Sequence, residues 1–130
     1  MKLTGTIHVP LPPDQALELF TPEGEREWVP GWDPHHHGET VFATDHAGAD
    51  TLWVITDQEP RRMRYARVTP GVHAGTVEVR CRPDGADTRA DVTYDLTELS
   101  PHALDHFAAG FDAMLAEWER MIAATCATSR

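Results

Sequence analysis

The sequence predicts an α+β fold, with a curved antiparallel sheet wrapped around a long C-terminal helix and two short helices after the first strand. Three observations carry this expectation. Between residues 40 and 97, five runs alternate apolar and polar residues with the period of a half-buried strand. Their connections are too short for the helical crossovers that parallel strands require. After Pro101, apolar residues recur at spacings of three and four, which is the stripe of an amphipathic helix.

The opening strand alternates Leu3, Ile7 and Val9 with Thr4, Thr6 and His8, and Pro10, Pro12 and Pro13 end it by withholding backbone donors. Residues 14–20 then place Ala16, Leu17 and Phe20 at helical spacing. Thr21-Pro22 reads as an N-cap with proline at the first helical position, so a second short helix begins near Pro22. Glu23 and Glu25 lie in its first turn, where the helix dipole favours negative charge, and Pro30-Gly31 stops it just after Trp28. The five later strands are 40–44, 51–56, 63–68, 75–82 and 88–97. Turn-rich links at 45–50, 57–61, 69–71 and 83–85 join them into a meander.

Ser100-Pro101 repeats the cap-plus-proline signal, and Leu104, Phe107, Phe111, Met114, Leu115, Trp118 and Ile122 form the closing helix, with residues 124–130 as a frayed tail. Alternation also orients the sheet. Val77, Val79 and Cys81 share a dry face with Ala90, Val92, Tyr94 and Leu96, while Glu78, Arg80 and Arg82 face water. The helix stripe is expected on that dry, concave side.

At 130 residues the chain fits one domain, which can bury roughly two-thirds of the surface exposed by its unfolded form. The hydrophobic fraction of 41% beside 25% charged residues suits a soluble protein. No apolar run approaches the roughly 20 residues of a membrane-spanning helix. The first residues show neither the apolar stretch nor the cleavage site of a secretory signal, and Cys81 and Cys126 lack metal-type spacing. The expectation is a cytoplasmic protein with free thiols. A formal charge of −10, from 21 acidic against 11 basic residues, opposes phosphate backbones and anionic headgroups, which argues against nucleic acid and membrane insertion.

The segment Thr-Pro-Glu-Gly-Glu-Arg-Glu-Trp-Val-Pro-Gly-Trp-Asp at 21–33, Thr51-Leu52-Trp53-Val54, Tyr65-Ala66-Arg67-Val68 and the closing helix with Glu117-Trp118-Glu119 resemble the START-like superfamily. Its bacterial members are called SRPBCC proteins, and it includes Bet v 1-like and polyketide cyclase/dehydrase-like proteins. The resemblance covers nearly all of residues 1–124. It implies the helix-grip fold, an antiparallel sheet of six to seven strands gripping the terminal helix around a cavity for lipophilic molecules. The pattern itself shows six strands, so a seventh would lie near residues 32–37. Superfamily members range from lipid and hormone carriers to cyclases, aromatases and chaperone activators, so the fold alone does not choose among them.

Candidate site residues follow from what a cavity needs, apolar walls and a few fixed polar groups. Trp28, Trp32 and Trp53 are broad amphipathic surfaces that can line an entrance and stack on a ring, or simply serve as core; Trp32, between Gly31 and Asp33, suits a lid. Either Tyr65 and Arg67 or the small apolar pair Ala66 and Val68 faces the helix, and Tyr65 is the one expected inward, because a buried face usually takes its largest ring. Arg67 inward would need a carboxylate or a ligand anion as partner, and its alternative is to reach solvent along the strand. Phe107, Phe111 and Met114 are core first and, if a cavity exists, its helix wall.

No nucleophile elbow, Ser/His/Asp set, Walker loop or glycine-rich dinucleotide turn is present, which disfavours a hydrolase or kinase. A cyclase or dehydratase needs only a shaped cavity and one or two acid/base groups, for which Tyr65, Arg67, Tyr94 and Glu25 are the candidates. The run His35-His36-His37 with His46 suggests zinc, yet consecutive histidines cannot all face one ion and no CxxC or HExxH accompanies them. No metal or cofactor is expected. The reading is therefore a domain that binds a small lipophilic molecule, aromatic or acyl. A cyclase-like enzyme and a protein-interaction module are the alternatives, and both a homodimer and turnover are left open.

Overall fold

The computed structural model describes residues 1–45 and 49–128. Strand β1 (Lys2–Val9) is followed by helix α1 (Pro13–Glu18) and a 3-10 turn (Gly24–Glu27). Then come β2 (His35–His36), β3 (Val41–Thr44), β4 (Thr51–Glu59), β5 (Arg62–Thr69), β6 (His73–Asp84) and β7 (Asp87–Glu98). Helices α2 (Asp105–Ala109) and α3 (Phe111–Thr128) close the fold.

The seven strands form one antiparallel sheet in the order β1-β7-β6-β5-β4-β3-β2, so β1 and β2 are opposite edges. At about 4.8 Å per strand, residues 10–34 must carry the chain roughly 29 Å along the sheet. That crossing segment is what roofs the concave face. Val77, Val79, Cys81, Ala90, Val92, Tyr94 and Leu96 are all buried, as the alternation required. Helix α3 lies over β1, where Gly5 makes room for it: a Cβ there would sit 2.3 Å from Leu115 Cδ1.

The seventh strand is the two-residue β2, which pairs His35 with Ala43 and His36 with Phe42. It escaped the sequence pattern because two residues show no period. The second short helix is a single 3-10 turn. Gly24 N donates to Thr21 Oγ1 at 3.0 Å, as an N-cap would accept it, but Pro30 leaves no length for an α-helix. The closing helix begins at Asp105 rather than at Pro101, because His102 adopts a left-handed φ of 61°. A break at Gly110 then separates α2 from α3. Residues 124–128 are not frayed: the helix continues to Thr128, and buried Cys126 anchors it. Both cysteines are buried.

A register shift in β4 between Ile55 and Asp57 sets one more constraint. Thr51, Trp53 and Ile55 face inward, and strict alternation would send Asp57 inward as well. The bulge turns Asp57 to the outer face opposite Arg64, where it lies 3.7 Å from Arg62.

Candidate cavity between sheet and helix

The crossing segment is pinned by its own polar groups. Arg26 donates to Glu23 at 2.8 Å, to Asp33 at 2.7 Å and to the Pro34 carbonyl at 3.1 Å, while His36 on β2 bonds Glu23 at 2.6 Å. The indole of Trp28 donates to the Leu19 carbonyl at 2.7 Å, and that of Trp32 to the Pro22 carbonyl at 2.8 Å. These bonds satisfy a proline-rich stretch that has no ladder of its own. With Arg26 and Glu23 turned out to each other, Glu25 between them turns inward.

Beneath this roof lies a cavity of about 350 Å³ lined by Glu25, Val29, Trp32, Trp53, Arg67, Tyr94, Phe107, Met114 and Trp118, with Thr44, Ala49 and Thr51 near one end. Phe107 of α2 and Met114 and Trp118 of α3, at the spacing of one helical face, wall the same space on either side of the break at Gly110. Larger grooves exist on the surface, but the one of about 760 Å³ is open and lined by arginines that are largely paired with acids, Arg61 with Asp14, Arg62 with Glu59 and Arg82 with Asp91. That arginine-lined groove offers no apolar enclosure.

One row of the sheet builds the polar end. Trp53, Arg67 and Gly75 are register partners across β4, β5 and β6. The Arg67 guanidinium lies 4.5 Å from the Trp53 ring centroid and 5.9 Å from that of Tyr94. Gly75 brings no side chain beside it. Among the described residues the Arg67 side chain makes no ion pair or hydrogen bond, and its buried Nε is orphaned. Stacking on aromatic faces contributes about 0.5 to 2 kcal/mol. Removing a charge from water costs several kcal/mol, so the rings offset only part of that penalty. Burial accordingly lowers the Arg67 pKa, against the pull of Tyr94 and Glu25.

Burial pushes the Glu25 carboxyl well above the usual carboxylate range, and the positive charge of Arg67 pulls it only partly back. The Tyr94 hydroxyl is pushed up to about 12 by burial, with Arg67 opposing. Neither Glu25 nor Tyr94 has a side-chain hydrogen bond to a described residue. Three polar groups thus converge on one space without saturating one another. Nearby, Thr51 and Thr69 share a hydrogen bond of 2.7 Å, Thr69 meets His73 at 3.3 Å, and Trp53 donates to Thr44 at 3.0 Å.

Of the residues singled out from sequence, Trp32, Trp53, Arg67, Tyr94, Phe107 and Met114 come together around the cavity. Trp28, Tyr65 and Phe111 do not line it. Trp28 packs edge-on between Phe20 and Trp118; Phe111 is buried under Tyr94; and the Tyr65 hydroxyl is used by the Phe20 carbonyl at 2.5 Å. Sequence reasoning missed Val29, Thr44, Ala49 and Thr51 as lining, and treated Trp118 only as core, although it stands one helical turn beyond Met114 on the same face. Among the described residues no group of three or more histidine, cysteine or acidic side chains is placed to hold a metal. His46 lies outside the described residues.

A family model described as polyketide cyclase / dehydrase and lipid transport matches residues 1–125. Among curated proteins, none matches the chain. CalU16 from Micromonospora echinospora has a similar structure at 20% identity and a TM-score of 0.69, over 93% of this chain and 75% of that one. DynU16, from the dynemicin biosynthetic locus, is similar at 19% identity and a TM-score of 0.68, over 92% of this chain and 46% of its own. The Aha1 dimer from Colwellia psychrerythraea is similar at 12% identity and a TM-score of 0.70, over 92% and 93%. These likenesses show the fold, a helix-grip. The match over residues 1–125 shows the family, and the chain belongs to the polyketide cyclase / dehydrase and lipid transport family.

Proposed function

We propose that the protein binds a small lipophilic molecule, aromatic or acyl, between the sheet and the α2–α3 helices. The observation that carries this reading is the aromatic and thioether wall of Trp32, Trp53, Phe107, Met114 and Trp118 around about 350 Å³. Ligand sites span roughly 300 to 1,000 Å³, so the guest has one or two rings or a short acyl chain. The buried thiol of Cys81 suits a cytoplasmic setting. Native mass spectrometry after gentle purification tests the reading. A noncovalent adduct released on denaturation is expected; a bare polypeptide that also fails to take up any apolar probe would end it.

A cyclase or dehydratase activity in the same cavity is the second reading, favoured by the convergence of Glu25, Arg67 and Tyr94 on one space. A carboxyl kept neutral by burial can give a proton, and a phenol and a guanidinium can stabilise a developing enolate. A pure interaction module would instead need a filled interior. Self-association belongs to the same proposal: Aha1 is described as a dimer, and exposed Leu52 and Val68 pair side by side on the outer face. Sedimentation at rising concentration tests it, and a constant monomer mass would remove it.

A further inference from the structure

Arg67 distinguishes this cavity from a simple greasy pocket. Its guanidinium is sandwiched at 4.5 Å and 5.9 Å between Trp53 and Tyr94, lines the cavity, and meets no carboxylate within ion-pair distance among the described residues. We propose that the guest is a lipophilic anion, an aromatic or short acyl carboxylate whose oxygens take the unpaired Arg67 donors while its apolar body lies between Trp53, Phe107, Met114 and Trp118. The proposal rests on the cavity reading above and names the class of ligand.

Two observations support it. Arg67 lines the cavity with no carboxylate partner among the described residues, and a planar guanidinium matches a carboxylate with two parallel hydrogen bonds. Tyr94 and Glu25 line the same cavity, and the hydroxyl of the one and the carboxyl of the other can each donate to an incoming oxygen while Glu25 stays neutral, the form that burial favours.

One effect runs the other way. The formal charge of −10 repels anions at a distance. At physiological ionic strength that field is screened over about 8 Å, whereas the contact with Arg67 is buried and screened much less. The acidic surface therefore slows arrival without cancelling the local preference.

The test compares 2-naphthoate with its neutral isostere 2-naphthamide by titration calorimetry, in the wild type and in Arg67→Gln. Naphthoate is expected to bind the wild type about tenfold or more tighter, as charge-assisted hydrogen bonds exceed neutral ones. The preference should vanish in Arg67→Gln while naphthamide binding persists. In the wild type itself, the Arg67 Nε–H resonance should shift with naphthoate and move little with naphthamide, which keeps the test decisive should the variant fail to fold. Equal affinities, or a preference that survives in folded Arg67→Gln, would overturn the anion assignment and leave the cavity reading standing. Failure of both compounds to bind would overturn both.

Discussion

The Tyr65 hydroxyl donates to the Phe20 carbonyl at 2.5 Å, tying the middle of β5 to the end of the α1 segment across 45 residues. Both groups are buried, so the bond serves the fold rather than a guest. Tyr65→Phe leaves the carbonyl orphaned and should cost about 1 to 3 kcal/mol in urea unfolding. Affinity for an apolar probe should not change. An unaltered unfolding midpoint with weakened probe binding would assign the hydroxyl to the cavity instead.

Two glycines on the inner face separate two kinds of crowding. Beyond Gly5 lies the tip of a side chain, Leu115 Cδ1 at 2.3 Å, whereas beyond Gly75 lies backbone, the Asp95 carbonyl at 2.0 Å. Gly5→Val should destabilise by about 1 to 3 kcal/mol through overpacking. Adding Leu115→Ala should recover part of that loss, with a coupling of about 0.5 to 3 kcal/mol in the double-mutant cycle. Gly75→Ala should find no such rescue from trimming a side chain. Strict additivity of Gly5→Val and Leu115→Ala would show that α3 does not rest on Gly5.

Glu25 gives the cavity a pH signature. Its folded pKa is raised above 4.5 by burial, so the folded state holds this proton where the unfolded chain has lost it. The stability it contributes is present below pH 4.5 and is lost as pH rises through the folded pKa. Asp91, lowered by its hydrogen bond to Arg82, acts in the opposite sense at acid pH. Glu25→Gln isolates the first effect. The stability of wild type minus that of Glu25→Gln should fall as pH rises above 4.5, measured by denaturant melts across the range. A difference that is flat, or that grows with pH, would mean that Glu25 is paired or solvated.

Filling the cavity should block it. Met114 is half-buried on α3 and faces the same space as Trp53 and Phe107. Met114→Trp adds bulk there, so a folded variant should lose about tenfold or more of its affinity for a naphthyl probe, read by fluorescence titration. Undiminished affinity would place the probe elsewhere.

Much of the fold was legible because its signals are local and repeated. Period-two runs and turn residues gave β1 and β3 to β7, and the helix stripe ran through Leu115, Trp118 and Ile122 as observed. What escaped was non-local. The pair His35–His36 becomes a strand only because Phe42 and Ala43 lie beside it. His102 reverses the chain where Ser100-Pro101 promised a helix start. The cavity was legible in kind but only partly in membership. Inward direction can be read from alternation, which put Tyr94 on the dry face but left Arg67 open between the cavity and solvent, and alternation cannot say which inward side chains meet each other and which meet open space. Tyr65 and Arg67 share that direction two residues apart, yet the hydroxyl of one is taken by Phe20 and the side chain of the other has no hydrogen-bond partner among the described residues.

The most direct measurement of the central claim follows the four tryptophan indole N–H resonances during titration with naphthalene. Trp32, Trp53 and Trp118 line the cavity, whereas Trp28 is buried behind it with its indole bonded to the Leu19 carbonyl. Saturable shifts at the first three, with Trp28 moving least, are the predicted result. Four unmoved resonances at saturating naphthalene would contradict the account, because the space between sheet and helix would then admit no guest.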